Sequence, residues 1–329
     1  MKILITGGAG FIGYHLARHL LNDKRVRLFL VDDLSRGIMD AEFKIILRHP
    51  RVKFLQLDLT DPGVLKKLGS GYGQVYHLAA VNGTKNFYDM PHEVLRINAL
   101  SLINMLEWMR KKNQKGKFLF TSSNEAYAGA LESFGKLPIP TPEKVPLVIS
   151  DAYNPRWSYA ATKLIGELFV IHYASKYGFR ALIVRPHNFY GPRAGFNHVI
   201  PEFSSRIAKK IDPFAIYGAD ETRTFCYIDD AVRAMQMLMD SPKTDKKIPE
   251  TVHIGDSKEI TMRELAERMF KTVGWRPKKL EFKNSPKGSV KRRSADITKL
   301  KSFTRWKPEV SLNEGLQKTY EWYSAHAKS

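Results

Sequence analysis

The run Gly7-Gly8-Ala9-Gly10-Phe11-Ile12-Gly13 directly follows the apolar segment Ile3-Leu4-Ile5. That order predicts a strand ending in a glycine turn, from which a helix rises over Tyr14 to Leu21. Such a turn lets backbone N–H groups meet a pyrophosphate, and the helix N-terminus adds partial positive charge. The next apolar run, Leu28-Phe29-Leu30-Val31, predicts a second strand ending in Asp32-Asp33. An acidic side chain about twenty residues beyond the glycines can bond both ribose hydroxyls of an adenosine. A 2′-phosphate would meet a carboxylate there, so NAD is expected rather than NADP, with Arg36 nearby as the opposing influence.

The pattern continues as an alternation. Strands are predicted at Lys2–Thr6, 28–31, 53–56, 74–78, Lys117–Thr121 and 181–185, and helices at 11–21, 62–67, 92–112 and 158–177. Alternating strands and helices imply an α/β fold, here a Rossmann-type doubly wound parallel sheet with right-handed crossovers. Ligands of such sheets lie beyond the carboxyl ends of the strands. After Pro186 the pattern changes. A strand over 224–228, a helix over 229–239, a short strand at 252–254 and helices at 262–273 and 312–326 are expected. Residues 1–186 are read as the nucleotide-binding domain, with about 224–252 returning to it. Residues 187–223 and 253–329 form a smaller, interleaved substrate lobe. Ser241 to Pro249, rich in lysine, is expected to be the most mobile loop.

Length sets a second bound: 329 residues can bury a large core, and 43% hydrophobic with 26% charged residues is a globular composition. No apolar run approaches a membrane span, and the first strand starts too early to leave room for a signal peptide, so a cytoplasmic location is expected. Cys226 is the only cysteine, which excludes an internal disulfide and suggests a small core residue. His15, His19, His77, His172, His187 and His198 lack metal-ligand spacing, so no metal is expected. The formal net charge is +20, and Lys271 to Lys307 holds thirteen Lys or Arg against Glu281 and Asp296. That stretch is read first as a solvated, lysine-rich surface and second as one that attracts anionic ligands or nucleic acid, and no aromatic-interleaved motif marks nucleic-acid binding.

Tyr159-Ala160-Ala161-Thr162-Lys163 is the second informative segment. Four residues apart on a helix, Tyr159 and Lys163 share a face, and an ammonium beside a phenol lowers its pKa from about 10. Such a tyrosine can take a proton from a hydroxyl while hydrogen leaves the same carbon for NAD.

Together with Leu57-Asp58-Leu59, His77-Leu78-Ala79-Ala80, Asn98, Thr121-Ser122-Ser123, Arg185-Pro186-His187-Asn188 and Thr222-Arg223-Thr224-Phe225, these motifs resemble the extended short-chain dehydrogenase/reductase family. Within it the resemblance is to nucleotide-sugar epimerases and dehydratases, enzymes of carbohydrate metabolism and polysaccharide biosynthesis. It implies that Gly7, Gly10, Phe11, Ile12, Gly13, Asp32, Asp33, Asp58, Leu59, Ala79, Ala80, Asn98, Ser122 and Pro186 surround NAD, joined by Tyr159 and Lys163. Ser123 would complete a Ser–Tyr–Lys catalytic triad. A nucleoside diphosphate sugar would meet Ser123, Asn124, Asn188, Val199, Arg223 and one of Arg292 or Arg293, with Arg292 chosen. His187 is read as packed rather than facing the substrate.

Ser123-Asn124-Glu125 discriminates among reactions. Dehydratases of this kind pair a glutamate base with an adjacent aspartic acid that protonates the departing hydroxyl. Glu125 matches the base, but Asn124 cannot donate that proton. The segment Ala194 to His198 also departs from what decarboxylases usually carry after their Gly-Pro-Arg turn. A 4-epimerase similar to UDP-glucose 4-epimerase is therefore expected, an isomerase needing only the triad and room for a ketone to rotate. A 4,6-dehydratase or UDP-glucuronate decarboxylase using Glu125 is the alternative, and an RNA-binding protein of the same fold a remote one. Excess apolar residues on the 92–112 and 158–177 helices imply a homodimer through a four-helix bundle.

Overall fold

The structure, a computed structural model, describes residues 1–196, 198–285 and 290–326. Asn197, in the segment after Gly191-Pro192-Arg193, and Lys287, in the basic stretch, lie outside the described residues. Six strands, β1 (Lys2–Thr6), β2 (Arg27–Asp32), β3 (Val52–Gln56), β4 (Gln74–His77), β5 (Lys117–Thr121) and β6 (Arg180–Pro186), are joined by Glu250–Ile254 in one sheet. Its order is Glu250–Ile254, β6, β5, β4, β1, β2, β3, and every pairing is parallel. Strand order reverses beside β1, which opens a crevice at its carboxyl end.

Both faces of the sheet are buried, and the strand sequences show why. In β1, Ile3 and Ile5 enter the core that also holds Leu28, Leu30, Leu182 and Val184, while Leu4 joins Val75, Phe118, Phe120 and Ile183 on the other face. A strand with a period of two must be apolar at every position to satisfy two such cores. Helix α1 (Phe11–Leu20) and the Ile228–Asp240 helix pack together on the first face. Pro91–Lys112 and Trp157–Tyr177 pack together on the second. The latter stops at Gly178, whose φ of 75° allows its N–H to reach the Ala174 carbonyl at 2.8 Å. Among the described residues no helix is long and apolar enough to cross a membrane.

The chain after β6 builds small sheets from short strands. Phe214–Tyr217 pairs with Leu280–Lys283, and Thr222–Arg223 lies between Ile260–Thr261 and Arg292–Arg293. One expectation is corrected here. The strand read over 224–228 is instead only Cys226–Tyr227, which pairs with Phe189–Tyr190, while Thr222–Arg223 just before it serves a different sheet. At the start of the lysine-rich 241–249 segment, buried Lys117 donates from Nζ to the carbonyls of Met239 and Ser241 and to Thr244 Oγ1. A lysine at a helix C-terminus both satisfies orphan carbonyls and complements the helix dipole. Four short helices, Ala41–Leu47, Thr84–Asp89, Ala128–Phe134 and Thr298–Thr304, have no counterpart in the sequence reading.

Candidate active site

The glycine turn closes at the carboxyl end of β1. Gly7 has φ of 70°, and a Cβ there would stand 2.9 Å from the Ala79 nitrogen. A Cβ on Gly13 would stand 2.1 Å from the Gly7 carbonyl oxygen, so the first turn of α1 rests directly on the loop. Only glycine permits both approaches. Gly7, Asp32, Asp33, Asp58, Leu59 and Ala79 line one cleft. Asp32 is 8% exposed. Its Oδ2 accepts from Ala9 N–H at 3.0 Å and its Oδ1 from Leu34 N–H at 2.9 Å. Burial raises the Asp32 pKa, and those two hydrogen bonds oppose the rise. Gly10, Phe11, Ile12, Ala80 and Pro186 lie at the adjoining helix start and strand ends. A side-chain-free turn at a helix N-terminus, facing a carboxylate across a cleft, fits an adenine dinucleotide.

Two residues expected beside the cofactor direct their side chains into the scaffold. Ser122 Oγ donates to Glu167 at 2.6 Å, because the alternation along β5 turns it away from the crevice side occupied by Ser123. Glu167 in turn accepts two hydrogen bonds from Arg185, each 2.7 Å, and both residues are nearly inaccessible. Asn98 accepts from Val81 N–H at 2.7 Å and donates to the Val81 carbonyl at 3.0 Å. It thereby staples the loop after β4 to the Pro91–Lys112 helix.

Ser123, Tyr159 and Lys163 converge. The Ser123 side chain reaches the Tyr159 phenol and favours its ionised form. Ser123 also caps the short helix Asn124–Tyr127, accepting from Glu125 N–H at 3.1 Å, so a local structural role coexists with that contact. Lys163 Nζ donates to the Thr121 carbonyl at 2.7 Å and stands 5.4 Å from the Tyr159 ring centroid. Burial pushes the Lys163 ammonium down to about 7, with Glu167 resisting. It also depresses the neighbouring His77 to about 3, Lys163 contributing, so His77 is neutral. Burial raises the phenol of Tyr159, and the Glu125 carboxylate adds to the rise, while Ser123 and Arg36 oppose it. This is opposite in direction to the sequence expectation of a phenol lowered by its lysine: removal from water outweighs the opposing Ser123 contact and Arg36 charge. Phe87 stacks on Tyr159 at 5.1 Å with rings 14° from parallel. Arg36, hydrogen-bonded to Asn82 at 2.5 Å, completes this wall.

Glu125 lies between two guanidinium groups. Arg293 Nη1 donates to Oε1 at 2.9 Å and Arg156 Nη2 stands 3.8 Å from Oε2. Despite burial, these charges and that of Arg223 hold the carboxyl below its ordinary range. Arg223 lies beside Arg293 on the paired strand and bonds Glu221 at 2.9 Å. The choice of Arg292 is corrected by this register. Adjacent strand residues point to opposite faces, so Arg292 pairs with Glu259 at the surface while Arg293 enters the site. Asn188 has φ of 44° and donates to the Thr224 carbonyl at 2.8 Å; Asn124 is buried beside Ser123, and Val199 opens the Val199–Ala208 helix. His187 is wholly buried, 3.2 Å from the Tyr127 hydroxyl, with its ring tilted 57° against that of His253 at 4.7 Å. Arg156 and Phe87 were not singled out in the sequence. Arg156 carries a local signal, since it precedes Tyr159 by three residues; Phe87 carries none.

Residues 3–255 match the family described as NAD dependent epimerase/dehydratase. The chain is 31% identical over 331 residues to a UDP-N-acetyl-alpha-D-glucosaminuronate decarboxylase of Bacillus cytotoxicus, covering 98% of this chain and 97% of that one. It is similar to the crystal structure of UDP-glucose 4-epimerase with UDP-glucose from Thermotoga maritima, at 28% identity, full coverage of both chains and a TM-score of 0.84. It is also similar to UDP-glucuronic acid 4-epimerase from Bacillus cereus in complex with UDP-glucuronic acid and NAD, at 25% identity, 99% and 100% coverage and a TM-score of 0.84. With the glycine cradle, the Rossmann-type sheet and the Ser–Tyr–Lys convergence already in place, these matches mean that the chain belongs to the NAD-dependent epimerase/dehydratase family of extended short-chain dehydrogenases/reductases, with NAD as its cofactor.

Proposed function

We propose that the protein epimerises C4″ of a nucleoside diphosphate sugar through a transient 4-keto sugar. Tyr159 takes the proton of the C4″ hydroxyl, Ser123 shares and orients that proton, and Lys163 supplies positive charge behind the phenol. NAD, when bound, supplies the acceptor for the hydrogen that leaves C4″. Its pyrophosphate would lie at Gly10 to Gly13, its adenosine ribose at Asp32 and Asp33, and its adenine between Asp58 and Leu59. Arg223 and Arg293 would hold the sugar's diphosphate, with Asn188 and Val199 beside it. The interleaved 187–223 and 253–329 segments serve as the substrate lobe.

One observation favours epimerisation over dehydration. Glu125 is clamped by Arg293 and Arg156 and held ionised below its usual range, which makes it a weak base toward the C5″ proton. Its neighbour Asn124 cannot act as the acid. Glu125→Gln is therefore expected to slow epimerisation by less than about tenfold, the loss of one hydrogen-bonded contact. Product NMR in deuterated water checks this, and Glu125-dependent deuterium at C5″ would overturn it. The decarboxylase among the relatives supports a second reading, in which the product lacks C6″; the same spectra distinguish it.

The protein is further proposed to be a cytoplasmic homodimer. Leu95 and Leu100 on one helix and Ile165 and Leu168 on its neighbour are each more than a third exposed, and together they form an apolar face. Covering that face with its symmetry mate gives a four-helix bundle. Light scattering is expected to give twice the chain mass at micromolar concentration; a monomer would refute the bundle.

A further inference from the structure

We propose that the end of the central sheet opposite the cofactor crevice is a docking surface for an anionic phospholipid bilayer.

All strands of the seven-stranded sheet run in one direction, so the turns that enter them lie at one end. Six of these turns, 21–27, 48–53, 66–73, 110–117, 176–180 and 241–249, hold eighteen Lys or Arg against Asp23 and Asp245. That is an excess of sixteen in a chain whose formal net charge is +20. At the opposite end, the segments 32–40 and 57–61 that leave β2 and β3 hold five Asp and only Arg36. Backbone contacts join the basic turns into one rim. Arg27 N–H donates to the Met1 carbonyl at 2.9 Å and Leu28 N–H to that of Arg51 at 2.8 Å. Gly73 N–H donates to the Lys2 carbonyl at 2.9 Å and Lys117 N–H to that of Gly73 at 3.0 Å. Arg180 then donates to the Lys115 carbonyl at 3.0 Å and pairs with Asp245 at 3.1 Å. Six strand spacings make this rim about 29 Å wide.

Folding uses only part of the charge. Arg51 donates to the carbonyls of Leu21 and Val26, Lys117 is held as described above, and helix C-termini at this end favour cations in their last turns. Lys24, Arg27, Lys53, Lys112, Lys115 and Lys176 are exposed and have no acidic partner among the described residues. Like charges gathered on one surface repel, and an anionic partner relieves that repulsion.

Apolar content favours a bilayer over a nucleic acid. None of these turns exposes an aromatic ring on which a base could stack: Tyr72 and Phe179 are buried, and Tyr177 lies 5.0 Å from the Arg110 guanidinium. Aliphatic side chains are exposed instead. Ile248, beside Lys247, is 65% exposed, and Ile45, one turn before Arg48, is 66% exposed. Lysines around isolated aliphatic tips suit a plane of anionic headgroups, where the cations meet phosphates and the tips enter the acyl boundary. Docked this way, the crevice at the carboxyl ends of the strands opens away from the membrane, towards soluble substrates.

Co-sedimentation of the full chain with vesicles of phosphatidylcholine alone, and of phosphatidylcholine with one-third phosphatidylglycerol, tests this. The anionic vesicles are expected to bind at least about tenfold more tightly, and added salt to release the protein. Each basic residue at such a surface contributes about fivefold, so Lys112→Gln with Lys115→Gln should weaken binding by about ten- to thirtyfold. Lys278→Gln with Lys279→Gln removes the same charge from the substrate lobe and should weaken binding by less than about threefold. All four side chains are exposed, so neither double variant should shift the thermal midpoint. Equal binding to the two kinds of vesicle, or equal losses from the two double variants, overturns the proposal. Absent vesicle binding, together with binding of single-stranded RNA that depends on Lys112 and Lys115, would assign the rim to nucleic acid and overturn it too.

Discussion

Tyr159→Phe is expected to lower sugar-nucleotide turnover by about two to four decades, the usual cost of losing a general base. Binding of the sugar nucleotide should be nearly unchanged. The structure makes this a clean substitution. Phenylalanine keeps the stack on Phe87 and the ring contact with Lys163, and removes only the hydroxyl that meets Ser123. Stability should therefore move by no more than about 1.5 kcal/mol, one hydrogen bond's net contribution. Product NMR, calorimetric binding and a denaturation curve on the same preparation separate the three effects. Turnover within tenfold of the unaltered protein would remove Tyr159 from the chemistry.

The catalytic helix and the sheet were legible because their signals are local. β1 and β5 fall on the residues expected, and the Trp157–Tyr177 helix begins one residue early. Continuous apolar runs bounded by glycine, and an apolar period near 3.6, are properties of neighbouring residues. What escaped the sequence was set by distant partners. Arg293 meets Glu125 across 168 positions, and which of Arg292 and Arg293 faces inward follows from pairing with Thr222–Arg223. Two-residue strands carry too little pattern to fix such a register. Likewise the Thr84–Asp89 helix buries no residue, so no apolar period announced the segment that sets Phe87 on Tyr159. Ser122 and Ser123 looked equivalent in sequence, and only the pleat of β5 separates the scaffold residue from the one at the reacting site.

That scaffold role gives the second large effect. Glu167 and Arg185 form a bidentate pair at 2.7 Å with both side chains almost fully buried. Breaking such a pair from one side leaves an uncompensated buried charge, so Glu167→Ala is expected to destabilise the fold by about 3–5 kcal/mol. Replacing both partners with apolar side chains, as in Glu167→Met with Arg185→Met, should recover much of that loss, since the desolvation cost of both charges disappears too. The pair should also matter beyond stability. Ser122 hangs its hydroxyl on Glu167 one residue before Ser123, and Arg185 donates to the Glu143 carbonyl at 2.9 Å. Glu167 lies one turn beyond Lys163 on the same helix and opposes the fall of its pKa. The apolar double variant should thus fold yet carry Lys163 with a lower pKa, so that its required positive charge is lost sooner and the alkaline limb of the turnover profile moves to lower pH. Denaturant titration of the single and double variants, followed by pH profiles of the double, tests both steps. A loss below about 1 kcal/mol for Glu167→Ala would mean that water already screens the pair, contrary to its burial.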